Sequence, residues 1–257
     1  MSEQPHVVII GAGFGGLRVA KRLARTPVRV TLIDKRNYHL FQPLLYQVAT
    51  AGISPHEIAY PVRAIFQTQK NFDFLMARVT DVDLDGRTVH TEQGDVRYDH
   101  LVVAVGASIN YFGNASLERY ALPLKDIGDA VTIRNHVLSM FELAAHERDI
   151  PKRQALLTFV AVGGGPTGVE SAGALSELIR LVLRRDYRTI NVDNVRVILI
   201  ESLPMILAGF PESLRLSARR SLEKKRVDVR VETRLNDYDG DKITLENGEI
   251  IPTRTVL

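Results

Sequence analysis

The chain has 257 residues, of which 45% are hydrophobic and 25% charged, a composition that builds packed cores and excludes a disordered polymer. Its length suits one large domain or two small ones, and a net charge of +3 is too small to call for nucleic acid or an anionic membrane as partner. With no cysteine, it has no disulfide, no thiolate metal site, and no cysteine nucleophile or redox dithiol.

No basic, apolar leader precedes His6 and no run approaches the ~18 apolar residues of a membrane span, so a cytoplasmic location is expected. The stretch HVVIIGAGFGGLRVAKRLAR (His6–Arg25) predicts strand, tight glycine turn and helix, with Leu17, Ala20 and Leu23–Ala24 at helical spacing. VRVTLID (Val28–Asp34) predicts a second strand ending in a carboxylate. Asn37–Phe66 is apolar and aromatic without a clean period, and on pattern alone is a core connector. Asp83–Val103 predicts short alternating strands around a Gln-Gly turn, then an apolar strand, and Ala130–Arg148 predicts a helix.

The pattern then starts again. LLTFVAVGGGPTGVESAGALSELIRLVL (Leu156–Leu183) predicts another strand, glycine turn and helix, and VRVILIE (Val195–Glu201) another strand ending in an acid. Asp237–Leu257 aligns without a gap on Asp83–Val103, with Asn-Gly as its hairpin turn, expected as type I′. The offset matches that between the glycine loops to within two residues, which predicts two copies of one fold. The fold class is α/β: two Rossmann-like, three-layer dinucleotide-binding domains, each with a small antiparallel β insertion. The boundary is expected between Tyr111 and Pro151, giving residues 1–115 and 116–257. Leu257 falls opposite Val103, where the first copy runs on through Ala104, Val105 and Gly106, so the chain reads as a fragment.

Each loop has the spacing GxGxxG between an apolar strand and a helix. Gly11 and Gly163 would allow the tight turn. Gly13 and Gly165 would let the backbone approach a pyrophosphate. Gly16 and Gly168 would let helix and strand pack closely. Asp34 and Glu201 would accept ribose hydroxyls and repel a 2′-phosphate, which favours NAD over NADP. A longer crossover helix, Ser171–Arg185, accounts for the distance to Glu201. Two dinucleotide sites make chemical sense when one holds a flavin and the other presents a nicotinamide, because hydride then passes between cofactors without a protein nucleophile or metal. A non-catalytic dinucleotide-binding module is the alternative. The basic stretches Leu183–Arg188 and Ala218–Arg226 read as solvated helix faces.

GAGFGG, HLFQPLLYQVATAGISPHEIAYPVR, AVGASINYFG and FVAVGGGPTGVESAGALSEL together resemble the type II, non-proton-pumping NADH dehydrogenases, over essentially the whole chain. The resemblance implies FAD in the first domain, NADH in the second, and a membrane quinone as electron acceptor. It implies that Gly11, Gly13, Phe14, Gly15 and Gly16 cradle the FAD pyrophosphate, with Asp34 and Lys35 at the adenosine end. Gln42, Pro43 and Leu44 would lie by the flavin ring, Val79 near the adenine, and Ala104, Val105 and Gly106 over the cofactor. Gly163, Gly165, Pro166, Thr167 and Gly168 would hold NADH, with Glu201 on its ribose. Glu170 would stand near the nicotinamide–flavin junction as the catalytic candidate; its other reading is a first-turn helix carboxylate. The family also implies peripheral contact with the inner face of the cell membrane through a C-terminal region absent from this sequence, and it allows a homodimer. A related reductase of ferredoxin or another carrier shares the layout.

Overall fold

The computed structural model describes residues 4–257, which divide into two compact units. The first runs to Phe41 and resumes over Pro55–Ser108; the second comprises Gln42–Ser54 and Ile109–Leu257. The division at Ser108–Ile109 precedes the boundary after residue 115 drawn from the sequence. Its cause is local: the Asn114 amide donates to the Asn236 carbonyl at 3.0 Å and Leu122 N–H to the Val256 carbonyl at 2.8 Å, which ties this stretch to the C-terminal strands.

The first unit is built on β1 (His6–Ile10), α1 (Phe14–Arg22) and β2 (Arg29–Asp34). A ribbon strand β3 (Tyr38–Leu40) follows, then α2 (Leu45–Ala49), which belongs to the second unit. The chain returns through β4 (Ala59–Pro61), α3 (Val62–Ile65) and β5 (Phe72–Met76). Next come β6 (Val79–Asp83), β7 (Thr88–Thr91), β8 (Gly94–Arg97) and β9 (His100–Val103). The parallel sheet has the order β5-β2-β1-β9. Residues of β1 alternate between two buried faces, as a period of two demands. Val7 and Ile9 pack with Leu17 and Ala20 of α1, while Val8 and Ile10 pack with Val89 of the antiparallel β6–β7–β8 sheet and with Tyr98 just after it. Leu32 and Ile33 are fully buried, each worth ~1.5–3 kcal/mol in apolar area removed from water.

The second unit repeats this plan. It adds α4 (Ala115–Tyr120), α5 (Ile127–His146) and α6 (Ile150–Leu156) before β10 (Thr158–Val162) and α7 (Pro166–Glu177). A π-helical segment, Leu178–Leu183, leads into α8 (Arg184–Asp186). Then follow β11 (Arg196–Ile200), α9 (Glu212–Lys224) and β12 (Val227–Arg230). The insertion is β13 (Leu235–Tyr238), β14 (Lys242–Leu245) and β15 (Ile250–Pro252), and β16 (Thr255–Val256) returns to the sheet. The order β12-β11-β10-β16 matches that of the first unit strand for strand. His136 of α5 donates from Nε2 to the Arg254 carbonyl at 3.1 Å and lies 2.9 Å from Thr255 Oγ1, which holds β16 in place.

Three local expectations are refined. Helix α5 starts at Ile127 and not Ala130, because Asp126 and Asp129 form a reciprocal capping box ahead of it. The long crossover helix is real, and its π segment lets Arg180 reach the carbonyls of Lys225 at 3.3 Å and Val192 at 3.2 Å. The Asn247-Gly248 turn is not type I′: only Gly248 has positive φ, and its N–H closes a turn on the Leu245 carbonyl at 3.0 Å. That is a three-residue loop with glycine in the left-handed position.

A buried histidine gives the first unit a pH dependence. His6 Nε2 lies 2.8 Å from Thr31 Oγ1, and Arg29 donates to its Nδ1 at 2.7 Å, so the ring is neutral with the proton on Nε2. Burial, then the Arg29 charge, lower its pKa; a hydrogen bond to the Arg97 backbone and the Asp99 charge oppose them. Burial also lowers that of His136. At these two histidines the folded state therefore binds fewer protons than the unfolded one; the surface His90, whose pKa the Asp95 hydrogen bond raises, pulls the other way, but solvent screens that pair. The associated stability is complete above about pH 6.5 and is lost as pH falls below it. Urea midpoints are expected to drop between about pH 7.5 and about pH 5.5, before carboxylates titrate, and to drop less in His6→Gln. A midpoint flat over that window in the wild-type chain would contradict this.

Candidate functional site

The two glycine loops turn in the same way at their first glycines. Gly11 has φ +104° and Gly163 φ +105°, and each donates its N–H across the strand end, to the Ile33 and Ile200 carbonyls, at 2.8 Å. A Cβ on Gly11 would stand 2.3 Å from the Ala104 carbonyl oxygen, so the loop also closes on the residue after β9. The helix that follows lies directly on the turn. A Cβ on Gly16 would fall 1.8 Å from the Gly11 carbonyl oxygen, and one on Gly168 would fall 1.9 Å from that of Gly163.

Between these two contacts the middle glycines face open space. Nothing lies within 4 Å of a Cβ built on Gly13 or Gly165, and both residues are exposed. Gly13 and Gly165 are the N-caps of α1 and α7, without a side-chain cap and without an acid in the first turn. The first N–H groups of a helix have no intrahelical acceptor, so both helix ends present donors and a positive dipole end to an anion. Pro166 takes the first position of α7, where a missing N–H costs nothing. These features fit the pyrophosphate of a dinucleotide.

The strand-end acids are half-buried and engaged. Asp34 accepts from Ala12 N–H at 2.7 Å through Oδ2 and from Arg36 N–H at 2.8 Å through Oδ1. Glu201 accepts from Gly164 N–H at 2.6 Å through Oε2 and from Leu203 N–H at 2.7 Å through Oε1. Each carboxylate clamps its glycine loop to the following turn; Oε1 of Glu201 also accepts from Ser202 Oγ at 3.1 Å, so its Oε2, like the oxygens of Asp34, keeps a lone pair for a ribose hydroxyl.

In the first unit the structure thus brings together Gly11, Gly13, Phe14, Gly15, Gly16, Asp34 and Ala104. Lys35 is exposed beside Asp34, and Val105 and Gly106 are exposed beyond β9, Gly106 with φ +75°. Val79 packs against the core cluster of Val8, Ile10 and Tyr98. In the second unit Gly163, Gly165, Pro166, Thr167, Gly168 and Glu201 converge. Gln42, Pro43 and Leu44 form a 3-10 turn ahead of α2 and belong to this second unit. Glu170 is the fifth residue of α7, past its first turn, so it is not the first-turn carboxylate of the alternative reading. Partial burial raises its pKa, an effect that solvent screens because the residue is exposed.

The sequence reading missed His39, whose Nδ1 lies 3.0 Å from the Ala12 carbonyl oxygen, and Leu207, whose N–H donates to the Gly164 carbonyl at 2.7 Å. His39 opens the stretch HLFQPLLYQVATAGISPHEIAYPVR, where the resemblance gives it no role, and Leu207 lies outside every motif. Among the described residues no cluster of histidine and carboxylates could hold a metal ion, and no helix is long and apolar enough to cross a membrane.

Residues 5–257 match the family model described as pyridine nucleotide-disulphide oxidoreductase. The type II NADH:quinone oxidoreductase Ndh of Mycobacterium tuberculosis is 43% identical over 95% of this chain and 54% of its own length. The external NADH-ubiquinone oxidoreductase 2 of Saccharomyces cerevisiae is 34% identical over 96% of this chain and 47% of its own. The chain therefore spans about half the length of the curated relatives it matches. NDH2 from Plasmodium falciparum, solved in complex with NADH, superposes with a TM-score of 0.91 over 99% of this chain and 54% of that one, at 24% identity.

Proposed function

Because the chain belongs to the pyridine nucleotide-disulphide oxidoreductase family, we propose that it is the dinucleotide-binding part of an NADH:quinone oxidoreductase of the type II NADH dehydrogenase kind, with FAD on the first glycine loop and NADH on the second. The duplication carries this reading: two loops, each with an open middle glycine, an uncapped helix end and a clamped acid. The family name speaks of disulphide; these 257 residues contain no cysteine and offer no dithiol of their own, and on this reading electrons are transferred through the flavin itself.

When both cofactors are bound, the nicotinamide supplies a hydride and the flavin accepts it and passes two electrons on. The residues of this chain bind, orient and select. N–H groups at the starts of α1 and α7 hold the two pyrophosphates. Asp34, with Lys35 beside it, holds the flavin nucleotide's adenosine end. Glu201 holds the NADH ribose and repels a 2′-phosphate. Gln42, Pro43 and Leu44 flank the flavin ring, Ala104, Val105 and Gly106 close over the cofactor, and Val79 supports the adenine side from the core. Glu170, exposed on α7, attends the nicotinamide end as the catalytic candidate. The quinone acceptor follows the printed names of the relatives. Contact with the inner face of the cell membrane through the further half of the relatives' length, and a homodimer, belong to the same reading.

The purified chain is expected to be yellow, or to become so with added FAD, and its flavin bands are expected to bleach when NADH is added without oxygen. A colourless protein that binds NADH and turns nothing over would leave a binding module. Comparing a quinone analogue with ferredoxin as acceptor separates the two enzyme readings.

A further inference from the structure

In each unit, one residue inside the glycine loop is held at both its N–H and its carbonyl. In the second unit Gly164 N–H is taken by Glu201 at 2.6 Å, and the Gly164 carbonyl receives Leu207 N–H at 2.7 Å. In the first unit Ala12 N–H is taken by Asp34 at 2.7 Å, but the Ala12 carbonyl receives a side chain, His39 Nδ1, at 3.0 Å. A carbonyl only accepts, so Nδ1 carries the proton.

We propose that His39 is a positioning residue for the flavin nucleotide, acting through the Ala12–Gly13 peptide. The proposal rests on the assignment of FAD to the first loop. In a trans peptide the carbonyl and the next N–H point in opposite directions. Holding the Ala12 carbonyl toward His39 therefore aims Gly13 N–H the other way, into the open space at the start of α1. That N–H belongs to the N-cap residue, the one whose missing side chain leaves room for a phosphate. The imidazole is itself fixed. Its backbone is paired with Tyr60 in the β3–β4 ribbon, and its ring meets Phe14 edge to face, with centroids 4.9 Å apart at 87°. Phe14 in turn meets Phe41 at 5.5 Å. Thus the aromatic residue inside the glycine motif braces the histidine that orients the motif.

The test is a titration of the full chain, stripped of flavin, with FAD, comparing wild type with His39→Ala, His39→Asn and His39→Gln. The asparagine amide nitrogen comes near the place of Nδ1, whereas the glutamine amide extends one bond further. His39→Ala is expected to weaken FAD binding about tenfold, the worth of about one hydrogen bond. His39→Asn is expected to recover to within about threefold of wild type, and His39→Gln is not. NADH affinity, read in the same proteins, stays unchanged because its loop is held by a backbone amide. Should His39→Ala fail to fold, the contrast between Asn and Gln still decides. Asparagine no better than glutamine, or alanine equal to wild type, overturns the proposal. Wild-type protein that binds no FAD overturns the assignment of the first loop, and this proposal with it.

Discussion

Gly16→Ala and Gly168→Ala are expected to be the most damaging single substitutions, each losing dinucleotide binding in its own unit together with several kcal/mol of stability. The added carbon would lie 1.8 Å or 1.9 Å from a carbonyl oxygen of the loop, about half a normal contact distance. That oxygen belongs to a backbone whose N–H is pinned across the strand end, so it cannot swing aside. The helix must lift off the sheet instead, taking Leu17 and Ala20 out of one core, or opening the contact with Leu199 in the other. The informative control is one turn earlier. Gly13→Ala and Gly165→Ala place their carbon in open space, on backbone with φ −74° and −73°, which any residue adopts. These variants are expected to melt within about 1 °C of wild type while binding the dinucleotide at least about tenfold more weakly. Thermal denaturation and cofactor titration on the four proteins separate the packing role from the phosphate role. Full FAD affinity in Gly13→Ala would remove the phosphate from the first loop.

Substitution of Glu201 is expected to have the second largest effect, and to read out in nucleotide choice. Its carboxylate takes two short bonds from backbone N–H groups. Charge-assisted bonds are worth about 1.5–3 kcal/mol each, and partial exposure puts the pair at the lower end. Glu201→Ala should therefore cost about 2–3 kcal/mol of stability and more than about tenfold in NADH affinity. Glu201→Gln keeps one acceptor oxygen and loses the charge. Wild type is expected to favour NADH over NADPH by about a hundredfold, and Glu201→Gln to narrow the gap to about tenfold, because the repulsion of a 2′-phosphate goes with the charge. Anaerobic reduction of the flavin by each nucleotide measures this. Equal rates with NADH and NADPH in the wild-type chain would remove Glu201 from the ribose.

Much of this fold is legible in the sequence because its signals are local and occur twice. Val7–Ile10 and Phe159–Val162 are apolar runs of strand length that enter glycine turns, and the parallel strands are buried on both faces. The glycine spacings are legible because the last glycine of each motif answers a steric demand from the first, five residues earlier, and the first needs a positive φ. Contacts that join distant positions are not. The bond from His39 to the Ala12 carbonyl spans 27 residues and obeys no period. Leu207 contributes only a backbone N–H, which leaves no trace in residue type. Asn247-Gly248 is legible as a turn but not as a turn type, because glycine's positive φ serves several. The place of Glu170 past the first turn of α7 depends on where the helix begins, the least certain feature of any sequence reading.

The insertion of Gln42–Ser54 into the second unit has a consequence for how the protein is made. Leu45, Val48 and Ala49 of α2 are buried, and the helices α2 packs against are α5 and α7. These partners are synthesised roughly 80 or more residues later, a delay of several seconds at about 5–20 residues per second. Until then the emerging chain carries an apolar segment with nowhere to go, a natural target for a chaperone. For the same reason a gene cut between codons 108 and 109 would not separate two proteins. It would leave one product with a homeless helix and the other with the gap that helix fills.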